Sequence, residues 1–222
     1  MDAFPFDALL TSALLGADYS IYPHSQLVAN DADLPARLTD LAAWATEYLT
    51  NPHPELGRTG AVCPFTRPSI RQDVFFVVDT LSAPAIDEDI TALLYAAKAW
   101  QLDTASKLAP EVRHLLTVMI PTPWLDPDSS DPIDQVQAEL KDAYVPDGLM
   151  IGQFHPASEQ PGVWNHAFHP LRAPMPLLVI RFMVPGDIAF LKSSPTHLDG
   201  YLKRFAPEIP ARARSVITEL AH

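Results

Sequence analysis

The stretch Leu149–Pro185, LMIGQFHPASEQPGVWNHAFHPLRAPMPLLVIRFMVP, decides how the rest of the chain is read. It opens as an apolar run, breaks at His155-Pro156, crosses a loop rich in Pro, His, Trp and Asn, and returns to an apolar run at Met175–Met183. Short apolar runs bounded by turn residues predict two strands, Leu149–Phe154 and Met175–Val184, with an irregular connection. Alternation along the first strand puts His155 on the face of Leu149, Ile151 and Gln153. Gly152 falls on the opposite face and leaves a gap there. Between Gln160 and Gly186 the chain has no carboxylate, although it carries 27 acids in all.

A second irregular stretch, Asn51–Ser69 (NPHPELGRTGAVCPFTRPS), shares these features. His53 stands between two prolines, and Gly57–Gln72 holds Arg58, Arg67 and Arg71 with no acid. The 23 prolines are about twice the average usage of roughly 5%. They are dispersed along the chain, which suits long, stiff loops in a folded domain.

Working outward, Leu34–Leu49 has helical spacing, with Trp44 and Tyr48 paired at i, i+4. Asp73–Thr80 is β-branched and aromatic and predicts a strand. Asp87 can cap a helix running to about Leu108, and Arg113–Ile120 predicts another strand. Asp131-Pro132 starts a helix that ends at Pro146-Asp147-Gly148. Asp187–Lys192 and Thr196–Phe205 predict short helices, Phe6–Gly16 and the segment after Pro210 two more, and Asp18–Asp33 a loop. The expected class is α/β (α+β): a two-layer arrangement with a mixed, roughly four-stranded sheet, helices on one face, and helical N- and C-termini.

The 222 residues fit a single domain over 1–222. A hydrophobic content of 48% with 19% charged residues is globular, which excludes wholesale disorder. The net charge of -12 argues against nucleic acid and anionic membrane surfaces as partners. One cysteine, Cys63, excludes an internal disulfide and Cys-rich zinc sites. With no basic leader and no long apolar run, the expected location is cytoplasmic. Dinucleotide, P-loop, nucleophile-elbow and zincin motifs are absent from the sequence.

The candidate chemistry gathers in the two proline-rich stretches. His155, fixed in extended geometry before Pro156, either ligates a metal or haem iron or hydrogen-bonds to nearby backbone. His166 and His169 chelate zinc only if the turn between them is helical, which Asn165 and Pro170 oppose. His53-Pro54-Glu55 and His197-Leu198-Asp199 match half of an iron site by spacing alone. Cys63 is either a small buried hydrophobe or, beside arginines, a thiolate. If the acid-free windows meet, Arg58, Arg67, Arg71, Arg172 and Arg181 form a cationic pocket for a carboxylate; otherwise they pair elsewhere. Trp164 and Phe168 are a ligand wall or core.

The segments HPELGRTGAVCPF (His53–Phe65) and GQFHP…WNHAFHPLRAPMPLLVIRFMVPGDIAFL (Gly152–Leu191) resemble a bacterial family described only as a domain of unknown function, often found in biosynthetic clusters. The resemblance covers about Leu34 to Phe205, leaving helical ends at 1–33 and 206–222. More remotely the chain is similar to the YqcI/YcgG family, through Cys63-Pro64-Phe65, His155-Pro156 and Pro176–Val179. That similarity implies a haem b enzyme that N-oxygenates an amine or amino-acid-derived small molecule. In it His155 is the axial ligand with His53 in reserve. Arg58, Arg172 or Arg181 would grip propionates or a substrate carboxylate, and Trp164 and Phe168 would wall the pocket beside Cys63. The alternatives are a non-haem enzyme using His155 and Cys63 on a carboxylate substrate, or a non-catalytic partner in a biosynthetic complex. The expected partner is a small molecule bearing a carboxylate or amine, and a homodimer is compatible with this.

Overall fold

A computed structural model describes residues 19–29, 34–80, 90–129, 131–207 and 209. The helices expected at Phe6–Gly16 and after Pro210, and the Asp87 cap, lie outside the described residues. Strands β1 (Ser20–Pro23), β2 (Phe75–Asp79), β3 (Thr117–Pro121), β4 (Leu149–Phe154) and β5 (Leu177–Phe182) form one sheet in the order β1-β2-β3-β5-β4. Only the β2–β3 pair is parallel; the other neighbours run antiparallel. The helices are α1 (His24–Val28), α2 (Ala36–Trp44), α3 (Thr66–Arg71), α4 (Ile90–Lys107), α5 (Pro110–Arg113), α6 (Asp131–Tyr144), α7 (Ile188–Leu191) and α8 (Pro195–Phe205).

The α/β class and the mixed sheet are as the sequence predicts. The cover is wider than the expected single layer of helices. Every residue of β2 and β3 is buried, so both faces of the sheet centre are covered. On one face Phe76, Val78, Val118, Ile120, Ile180 and Ile151 pack with Leu93, Leu94 and Ala97 of α4 and Ile133, Leu140 and Tyr144 of α6. On the other, Phe75, Val77, Met119 and Leu177 pack with Leu27, Leu38, Leu41, Ala42 and Ala45 from α1, α2 and the turn after it. Unbroken apolar runs such as FFVV cannot leave one face in water, because each fully buried Val, Leu or Phe contributes about 1.5–3 kcal/mol. A third cluster joins Met150 and Met183 to Leu191 of α7 and Leu198, Tyr201 and Phe205 of α8.

Three segments correct the expectation, and the first is the end of Asn51–Ser69, where Thr66 onward belongs to the helix α3. Asp18–Asp33 is not simply loop: Ser20–Pro23 pairs with β2 from Ser20↔Asp79 to Pro23↔Phe76 and adds a fifth strand. A four-residue strand ending in proline carries too little pattern to be read, and only edge pairing makes it. The strand expected from Arg113 begins instead at Thr117, because Pro110 opens one helical turn that takes in Arg113. No helix among the described residues is long and apolar enough to cross a membrane.

Candidate functional site

The α1/α2 side of the sheet is incompletely covered. Between α2–α3 at one end and α7–α8 at the other, the sheet floors a cavity of about 410 Å³. The register explains the floor: Phe75 pairs with Thr117, Thr117 with Arg181, and Arg181 with Met150, so these four side chains share one face. Met119, Val179, Gly152 and Phe154 continue it along the strands. Gly152 sits opposite Val179, and a Cβ placed there would meet nothing nearer than the Phe154 ring at 3.7 Å. The gap read from the sequence is part of this cavity.

Cys63, Phe65 and Leu49 wall one side. α2 ends in a widened, π-type turn, Ala45–Leu49, whose Leu49 carbonyl accepts from Cys63 N at 2.8 Å. Val62 N donates to the Asn51 carbonyl at 2.9 Å, so the chain between them is a closed loop. Arginines hold this loop by its carbonyls. Arg58 donates to Thr59 and Val62, each at 3.0 Å, and Arg67 to Thr50 at 2.7 Å and Asn51 Oδ1 at 3.2 Å. Proline-rich irregular backbone leaves carbonyls without ladder partners, and a guanidinium fork satisfies two at once.

The two proline-rich stretches meet. Gly57, at φ 77°, lies so close to the Trp164 backbone that a Cβ would come within 2.9 Å of it. Asn165 Nδ2 donates to the Glu55 carbonyl at 2.8 Å. The His53 ring stacks on Phe168 at 4.5 Å, and Tyr48 donates to the Pro170 carbonyl at 3.2 Å. Gln160 and Leu171 carry the central loop to the cavity rim.

At the floor, Arg181 makes two bonds to the buried Asp187, at 2.7 and 2.6 Å, and a third to the Phe182 carbonyl at 3.0 Å. Burial pulls its pKa down, but the hydrogen bonds and charge of Asp187, with Cys63 adding in the same sense, hold it above the usual value. Arg181 and Cys63 line the same cavity. Gln137 and Lys141 reach in from α6 around the edge strand β4, where Gln137 Nε2 donates to the Ile151 carbonyl at 2.8 Å. Ala189, Phe190 and Ser193 complete the opposite wall. No carboxylate among the described residues lines the cavity.

Of the candidate catalytic and ligand-holding side chains named in the sequence, Cys63 and Arg181 line this cavity and the others do not. His155 is 1% exposed and turned toward α6. Its Nε2 lies 3.6 Å from Asp134 Oδ1, too long for a hydrogen bond, and its Nδ1 has no partner among the described residues. Its backbone fastens the loop, donating to Leu171 at 3.2 Å and accepting from Ala173 at 3.4 Å. Arg172 donates to the Ser158 carbonyl at 3.1 Å. Trp164 is 67% exposed, neither core nor cavity wall, and Phe168 is buried against His53. Arg58, Arg67 and Arg172 serve backbone carbonyls, so the wider cationic pocket does not form around them.

The metal motifs resolve similarly. Asn165 turns the chain before His166 by accepting from Ala167 N, His53 Nδ1 accepts from Glu55 N, and His197 Nε2 meets Asp142 at 2.6 Å. No group of three His, Cys, Asp or Glu among the described residues is arranged to hold a metal ion. A haem ligated by His155 does not fit: the ring is enclosed, and no histidine among the described residues lines the cavity. The soft donors there are Cys63, Met119 and Met150. Lys141 escaped the sequence reading because a lysine on a helix ordinarily marks a solvated face. Its positions i±3 and i±4 are Gln137, Ala138, Tyr144 and Val145, so its helix offers no counter-ion, and that signal was present in the letters.

Neither the curated proteins nor the solved structures contain a match to this chain. One family model matches residues 38–216, nearly everything described above, including Cys63, Lys141, Gly152 and Arg181. The chain therefore belongs to the family described as Domain of unknown function (DUF6875).

Proposed function

We propose that this protein is a non-haem enzyme that acts on a small carboxylate-bearing molecule, with Cys63 as the reacting group. One observation carries this: in a chain of net charge -12, the cavity has a thiol, two cations and no acid on its walls among the described residues. A thiol is the strongest nucleophile among the lining groups. Gln137, Gln153 and Gln160 add neutral donors and acceptors that can orient a polar head. Phe65, Phe75, Met119 and Val179 give the same cavity an apolar wall. The partner in this reading is a small molecule, and the location is cytoplasmic.

The remote similarity to the YqcI/YcgG family supplies a second reading, haem-dependent N-oxygenation. Its support is that both segments carrying the similarity contribute walls to this one cavity. In that reading Cys63 would hold the iron in place of His155, and bound haem would supply activation of the oxidant.

Expression with iron and a haem precursor separates the two. The thiol reading expects a colourless protein that consumes a carboxylate metabolite from a cell extract, followed by mass spectrometry, and loses that activity in Cys63→Ala. A Soret band that Cys63→Ala abolishes would replace it with the second reading. Activity intact in Cys63→Ala would sink both.

A further inference from the structure

The two cations of the cavity are not equivalent. Arg181 is neutralised: Asp187 takes it at two points and the Phe182 carbonyl at a third. It braces the floor of the cavity. Lys141 has no such partner. Its Nζ donates to the Phe190 carbonyl at 2.8 Å, and no carboxylate pairs with it among the described residues. The adjacent Asp142 is occupied with His197 at 2.6 Å. Burial pulls the Lys141 ammonium below the ordinary lysine range, with Asp142 only partly opposing. A half-buried cation without a counter-ion is costly to keep, and an anion arriving beside it lowers that cost. The carbonyl of Phe190 fixes the ammonium in position without neutralising it.

Resting on the reading of this cavity as a ligand site, we infer that Lys141 anchors the ligand's single anionic group, so that the cavity takes an amphipathic monocarboxylate. One uncompensated positive charge matches one carboxylate. The apolar body lies over Phe75, Met119 and Val179, which floor the cavity, and enters the gap at Gly152. The side chain missing at Gly152 sets how bulky that body is.

Isothermal titration with phenylbutyrate as the probe tests this, with phenylbutanol and phenylbutylamine as neutral and cationic controls. Phenylbutyrate should bind and the controls should not. Lys141→Gln should weaken binding by roughly tenfold or more, as loss of a charge-assisted hydrogen bond does, and Lys141→Arg should retain most of it. Gly152→Ala should weaken binding while leaving the thermal midpoint near that of the wild type, since a Cβ there meets nothing nearer than the Phe154 ring at 3.7 Å. Binding set against turnover separates the two proposals: a carboxylate site without thiol chemistry still binds phenylbutyrate, whereas thiol chemistry on a neutral substrate gives turnover without it. Equal binding by Lys141→Gln, equal binding of phenylbutanol, or no binding of phenylbutyrate to the wild type would each overturn the inference.

Discussion

The two faces of the central sheet are made by the same strands and do different work. Toward α4 and α6 the side chains of β2, β3 and β5 meet a continuous apolar layer, with Phe76, Val118, Ile120 and Ile180 at most 1% exposed. Toward α2 and α7 the cover parts, and Thr117, Arg181, Gly152 and Cys63 face a cavity. In β3 the alternation runs Thr117, Val118, Met119, Ile120, so adjacent residues answer to different demands. One face is filled to hold the fold. The other is left unfilled where the chain can tolerate it.

That contrast can be broken in order of expected effect. Phe76→Ala, on the filled face, should cost about 3–5 kcal/mol in urea unfolding, as large-to-small core changes do. Val179→Ala, across the sheet and against the cavity, should cost about 1 kcal/mol or less, because the space beside it already exists. Equal losses would mean that the cavity face is as tightly packed as its opposite. Gly57→Ala should cost about 1–3 kcal/mol, from left-handed backbone strain and from pushing on Trp164. Loss of the Asn165–Glu55 contact should show as faster proteolysis within residues 157–170.

The smallest effect is one of pH. His24 is buried on the α2 side, with Nε2 at 2.8 Å from Thr46 Oγ1 and 3.2 Å from the Ala42 carbonyl. Burial lowers its pKa from 6.5, with the Ala42 carbonyl and Asp73 opposing. The unfolded chain therefore binds the proton more readily than the folded one. Stability from this site is fully present above pH 6.5 and declines as pH falls below it. Urea midpoints between pH 7.5 and 5 should fall in the wild type and fall less in His24→Gln, a slope difference on the order of tenths of a kcal/mol per pH unit. An identical slope in both proteins would show that other groups dominate the acid response.

Much of this contrast was legible in the letters. Leu149–Phe154 was readable to the residue, because apolar alternation and Gly148 on one side and His155-Pro156 on the other leave no other boundary. Gly152 announced a gap, and the two acid-free windows announced segments that belong together. The destination of their arginines was not legible: a guanidinium near irregular backbone is satisfied by whichever carbonyl the fold leaves free, and spacing does not encode that. The Arg181 partner was near at hand, since Asp187 stands just beyond the end of the acid-free window. The orientation of His155 followed from strand parity, but that α6 would cover its face depended on helix packing. β1 was hidden because edge pairing with β2 creates it and its own four residues do not.

The widened turn at Ala45–Leu49 has a consequence for how this region tolerates change. It holds one more residue per turn than a regular helix, and each helical residue rotates the chain by about 100°. The extra residue therefore works as a phase adjuster: it sets the angle at which the Leu49 carbonyl meets Cys63. Point substitutions along α2 leave that angle alone, whereas deleting one residue would restore the ordinary helical winding and swing the thiol off its bearing. Indel tolerance, more than residue identity, is where this helix is constrained.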